Sequence, residues 1–277
     1  MALVALGACG GPKERLSRPP FDELDALLRP QVQVEAVKRL PSAHWSVQST
    51  FKVVPTAGAP PEPGPQRDGV TTHTDLWLDR RGQYRLAELN DQDGGRTIWR
   101  YGHDLAVALR YGKTIRRPAL EPEPTRYLEE AVGAPWAAWE TVRRFALVTR
   151  SDGPPVRFRI SRAATPSDFV PSPADGTNLR RWRETVQVQD LEGTVQLEPR
   201  TGALAAFNLK ARFTATREDR LPLTGEVAVT AKLDGVGSTP SITPPPSADE
   251  LEPRVRSILE ERALLGNLNQ GGGKEGK

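Results

Sequence analysis

The sequence predicts a mainly β fold with a few helices: a single large curved antiparallel sheet, or half-open β-barrel, covered by helices. Three observations predict it. Ala205, Phe207, Leu209, Ala211, Phe213 and Ala215 alternate with polar neighbours, and Val227, Val229, Ala231 and Leu233 repeat the pattern. A period of two with one dry and one wet face marks half-buried strands. Between Pro55 and Asp104 a succession of turn signals stands at hairpin spacing, as in an up-and-down sheet. Finally, Thr125 to Phe145 reads as a pair of helices, and helices set inside a β chain need a sheet to pack on.

The elements follow in order. Phe21, Leu24, Leu27 and Leu28 stand at helical spacing, with Asp22 and Glu23 in the first turn and Pro30 as a stop. Val32 to Leu40 reads both ways, and the helix is preferred. His44 to Val54 alternates as a strand, the loop 55–69 is rich in Pro and Gly, and Val70 to Leu78 alternates again. Asp79–Gly82, Asn90–Gly95 and Gly102–Asp104 are turns into strands Gln83–Leu89, Arg96–Tyr101 and Leu105–Tyr111. Residues 125–132 form a short helix ended by Gly133. Pro135 opens a second one, since proline is tolerated in a first helical turn. Trp136, Trp139 and Val142 share one of its faces.

Strands resume at Phe145–Arg150 and Val156–Arg162. A long loop spans Ala163 to Asn178, and Arg180–Asp190 reads as a strand with Trp182, Val186 and Val188 inward. The meander Gly193–Leu233 completes the sheet. SITPPPS (241–247) ends β pairing, because proline cannot donate to a ladder. A last helix is expected at about 250–266, and residues 269–277 as a disordered tail. The organisation is therefore residues 1–20 as signal and tether, one β-rich domain over 21–268 with a helical insertion at about 125–145, and the tail.

Composition narrows the function. Lys+Arg (38) nearly balances Asp+Glu (35) for a net charge of +3. The arginines alternate along strands as in RFRISR, which is a solvated outer face; no nucleic-acid partner is expected. One Cys excludes an internal disulfide framework or a multi-Cys metal site. The histidines, His44, His73 and His103, stand in no ligand spacing, so no metal is expected. GxSxG, GxGxxG and GxxxxGK[ST] are absent. The expectation is a protein without cofactor or catalysis.

The N-terminus points to a compartment. Leu6-Gly7-Ala8-Cys9 resembles the lipobox of bacterial lipoproteins, an apolar residue and two small ones before the Cys that is acylated with palmitate-type chains. Only eight residues precede Cys9, so the resemblance implies a truncated signal; GGPKERLSRPP then reads as a polar tether. On this reading the protein is anchored to the cell envelope through lipid on Cys9, facing the periplasm at the outer membrane. If the match is accidental, the chain is cytoplasmic.

Taken together, the lipobox, the N-terminal helix, the strands, the mid-chain helices and the Pro-rich exits are similar to the periplasmic lipoprotein carriers of the LolA/LolB and LppX/LprG group. The resemblance covers roughly Phe21 to Pro246. It implies a half-open barrel whose apolar concave face, plugged by helices, holds a lipid or other hydrophobic ligand. Lining residues would be Leu76, Leu78, Val107, Leu109, Trp136, Trp139, Phe158, Phe207 and Phe213. The alternative is a structural lipoprotein with a packed core that meets an envelope protein partner.

Overall fold

The computed structural model describes residues 19–56, 69–151, 153–173, 175–217 and 220–250. Cys9, the tether, the expected C-terminal helix beyond Glu250 and the tail lie outside the described residues.

The first six strands are β1 (Ala43–Pro55), β2 (Gly69–Leu78), β3 (Tyr84–Asn90), β4 (Gly95–Tyr101), β5 (Asp104–Leu109) and β6 (Thr114–Pro118). A second series comprises β7 (Ala146–Ser151), β8 (Arg157–Arg162), β9 (Gln187–Leu197), β10 (Leu204–Thr216) and β11 (Pro222–Asp234), with a two-residue β12 (Asp249–Glu250). All belong to one 12-stranded sheet in the order β12-β6-β5-β4-β3-β2-β1-β11-β10-β9-β8-β7. Two meanders are thus welded where β11 returns beside β1, from His44 opposite Asp234 to Pro55 opposite Leu223. The sheet is curved and does not close. The expected class holds, with one correction: β12 pairs parallel to β6, so the sheet is mixed.

Helices α1 (Pro19–Leu27), α2 (Pro30–Lys38), α3 (Glu123–Val132), α4 (Ala134–Val142) and α5 (Thr177–Thr185) complete the fold. The ambiguous stretch after Val32 is helical as α2, and the helical pair is α3 and α4. The expected strand at Arg180–Asp190 is corrected. Its first half is α5, and β9 begins only at Gln187. Leu179 and Trp182 are three apart and share a helix face. Moreover, Arg183 meets buried carboxylates from elsewhere in the chain, a tertiary bond that sequence alternation does not carry. Thr185 closes the helix: its hydroxyl donates to the Trp182 carbonyl (2.8 Å) and accepts from the Thr216 amide (3.0 Å). β6 had no expected counterpart, since its five residues, TIRRP, carry no clean alternation.

The inward rows of the sheet and the apolar stripes of the helices form one core. Trp45, Leu76, Leu86, Ile98, Phe158, Phe207, Leu209 and Val229 pack in the same cluster as Leu24, Leu28, Val34, Leu128, Trp139 and Val142. Each such large side chain contributes about 1.5–3 kcal/mol by leaving water. Polar clasps fix the helices. The Asp25 carboxylate accepts from Trp139 Nε1 (2.9 Å) and Arg143 Nη1 (3.2 Å), joining α1 to α4. Gln33, also buried, accepts from the Leu204 amide (2.9 Å) and donates to the Leu27 carbonyl (2.7 Å), joining α2 to the start of β10.

Tyr84, on the inner face of β3, donates its hydroxyl to the Pro124 carbonyl at 2.8 Å. Burial pushes this phenol well above its ordinary range. The unfolded phenol loses its proton near pH ~10 while the folded one keeps it. Stability from Tyr84 is therefore complete below that pH and falls above it, at about 1.4 kcal/mol per pH unit. Denaturant titrations at pH 9 to 11.5 should show a drop that is shallower in Tyr84→Phe, itself about 1 kcal/mol less stable at neutral pH. The drop does not vanish, because burial and Glu123 also raise Tyr127.

Candidate functional site

The inner face beneath α4 is filled: Trp139, Val142, Phe207 and Phe213 are all buried there. To one side the filling stops. An open cleft of about 250 Å³ lies between α4 and α5, floored by β1 and β11. The residue types explain the gap. α4 presents Ala134, Ala137 and Ala138 to it, whose side chains are too short to reach α5, and β11 contributes Val227 and Val229. Leu179 and Trp182 of α5 and Phe51 of β1 form the opposite wall.

That wall is an aromatic cluster. Trp182 meets Phe51 and Phe213 edge-on, each at 5.8 Å between ring centroids, and Phe51 stacks on Phe213 at 6.1 Å. Such pairs contribute about 0.5–1.5 kcal/mol beyond burial. The outer end of the Phe213 ring covers Gly225 of the neighbouring strand, where a methyl group would come within 2.2 Å of it. Glycine is required there by close approach. Despite the packing behind them, Phe51 is 37% and Leu179 42% exposed at the mouth. Covering that surface with an apolar group would be favourable at about 25 cal/mol per Å².

An ion cluster holds α5 in place. Arg183 Nη1 donates to Glu140 Oε2 of α4 (2.8 Å) and to both Asp175 oxygens (2.7 and 2.9 Å). All three side chains are less than a tenth exposed. Buried charges are tolerated only when paired, so this trio sets the spacing of the two helices and hence the width of the cleft. Arg183, its charge paired, also lines the cleft, and the other polar groups there are the uncharged Ser49, Thr50 and Thr141. Such a lining suits an uncharged, apolar ligand. Among the described residues, no three His, Cys, Asp or Glu side chains converge on a point.

The residues expected to line a ligand site fall mostly elsewhere. Leu76, Leu78, Trp139, Phe158, Phe207 and Phe213 are core, and Leu109 is exposed near the tip of β5. Val107 and Trp136 are half-buried against the core. None lines the cleft, although Phe213 backs its aromatic wall. The sequence reading missed Phe51, Ala137, Leu179, Val227 and Val229, and pointed Trp182 inward from a strand. The three-residue spacing of Leu179 and Trp182 was the available signal.

No family model matches the chain, and no curated protein does. Among solved structures, the Pseudomonas aeruginosa MucA/MucB complex is 12% identical over 79% of this chain and 59% of that one, with a TM-score of 0.24. A structure of MucB alone is 16% identical over 82% and 62%, with a TM-score of 0.21. A β-barrel-like protein of a domain of unknown function from Brucella abortus is 11% identical over 70% and 97%, at 0.20. This chain spans about six-tenths of the MucB chains. Likenesses of this size establish neither a family nor a function for it.

Proposed function

We propose that this protein is a non-catalytic, lipid-anchored component of the cell envelope that holds a lipid chain or another apolar group in the α4–α5 cleft. The observation that carries the reading is an apolar cleft whose aromatic wall is left open to water at Phe51 and Leu179. Its volume lies just below the ~300 Å³ at which small-ligand pockets begin, so it fits part of a chain rather than a whole lipid. Binding needs no chemistry, only displacement of water from the wall. The lipobox-like Leu6–Cys9 supports the anchor, and Gly10 rather than Asp after the Cys supports the outer membrane.

A second reading is a structural protein whose partner, rather than a ligand, covers the cleft. The filled interface beneath α4 favours it. Mass spectrometry of organic extracts separates the two. Protein purified from its own membranes is expected to carry one apolar compound near stoichiometry, and Leu179→Asp to carry none. Extracts free of any such compound, from protein that also fails to take up a fatty acid, would favour the partner.

A further inference from the structure

The opposite face of the sheet carries a row of aromatic and cationic side chains. Trp77, Arg85 and Trp99 face one another across β2, β3 and β4, in register. The Arg85 guanidinium lies 4.9 Å from the Trp77 ring centre and 5.9 Å from that of Trp99. His44 stacks on the far side of Trp77 at 4.9 Å, nearly parallel. Trp77 is thus stacked between His44 and Arg85, and Trp99 continues the row on the outer surface.

The chain itself crosses this row. After β11 the segment PSITPPP (240–246) passes alongside Trp77, Arg85 and Trp99, and together they line an open groove of about 400 Å³. Thr239, Ile242, Pro245 and Ala248 are half-buried while the residues between them are exposed. A period of three is that of a polyproline II helix, which also rises about 3.1 Å per residue. One turn therefore advances about 9.3 Å, close to two strand spacings of about 4.8 Å. That rise suffices to carry the strap from Asp79, after β2, to the sheet edge, where Asp249 pairs with Ile115 of β6. Within it the Ile242 amide donates to Asp79 Oδ2 at 3.1 Å, and its flanks are tied down by Thr239 on Ser42 and by Asp249 and Glu250 on β6.

We propose that the Trp77–Arg85–Trp99 row is a binding site for polyproline II segments. The chain's own Ile242–Ala248 occupies it in cis, and a proline-rich segment of another chain takes it by displacing that strap. Aromatic-lined grooves read such segments because the ligand is already extended and loses little entropy on binding.

The test is a titration of the full chain with the synthetic peptide PSITPPPSA, followed by tryptophan emission. In the double variant Ile242→Ser, Pro245→Ser, which loosens the strap, binding should be at least ~10-fold tighter than in the wild type, where the strap competes. Replacing the peptide's three consecutive prolines with glycine, or adding Trp99→Leu to the loosened variant, should abolish it. No saturable response in a loosened variant with native circular dichroism would overturn the proposal, as would equal binding of the glycine peptide. In the unaltered chain, the peptide should accelerate hydrogen exchange at the Ile242 amide. Exchange unchanged at millimolar peptide also overturns it.

Discussion

Replacing Arg183 with methionine should lower the free energy of unfolding by about 3–5 kcal/mol, because it strands two buried carboxylates with no cation. Glu140 and Asp175 are each less than a tenth exposed in the side chain and share the single Nη1 of Arg183. The partner deletions are unequal. Removing Glu140 leaves Arg183 bidentate on Asp175 through Nη1, so Glu140→Gln should cost much less. Replacing all three by apolar residues of similar size should recover much of the loss, since a buried ion cluster often gains little over good packing. Urea unfolding of the single and triple variants measures this. Equal stability of Arg183→Met and wild type would mean that water reaches the cluster.

Phe213→Ala is expected to cost about 3–5 kcal/mol, the usual penalty for removing a buried ring. It also removes the support behind Phe51 and Trp182, so the cleft should deepen toward Gly225. The neighbouring glycine supplies a control. Gly225→Ala in the wild type drives a methyl into the Phe213 ring, an overpacking worth about 1–3 kcal/mol. In the Phe213→Ala background the ring is gone, and the same methyl should be tolerated or should stabilise, because alanine loses less chain entropy than glycine. A double-mutant cycle by thermal unfolding tests the contact directly. Additive losses would mean the two residues do not touch.

Most of the sheet was legible because its strands keep one face dry: the alternation from Leu204 to Leu233 is visible without any knowledge of what covers it. The connection of the two meanders was less so, because β1 and β11 are far apart in sequence and only their register shows the weld. α5 was misread for a physical reason. In RRWRE the arginine between the apolar positions looked like an outward residue of a strand, whereas Arg183 is buried against Glu140 and Asp175. Trp139 was taken for ligand lining because it sits on a short helix expected to cap an open sheet, but a tryptophan needs both apolar cover and a partner for its N–H. The core supplies both, through Phe21 at 5.3 Å between ring centroids and the Asp25 carboxylate. The cleft itself was not legible. It is a gap, made by short alanines on one helix facing Leu179 and Trp182 on another, and no local pattern records a space between remote segments. The prolines after β11 were correctly read as leaving the ladder, but pairing resumes at β12, where a helix was expected to start, and their period of three went unnoticed.

Ligand binding in the α4–α5 cleft is tested by the affinity of a fluorescent hydrophobic probe, 1-N-phenylnaphthylamine, for the wild type, for Trp182→Ala and for Leu109→Ala. Binding should be saturable at one site, weakened about tenfold by loss of the Trp182 wall, a change of about 1.4 kcal/mol, and untouched by Leu109, which lies away from the cleft. Equal binding by all three proteins, or none by folded wild type, would contradict it.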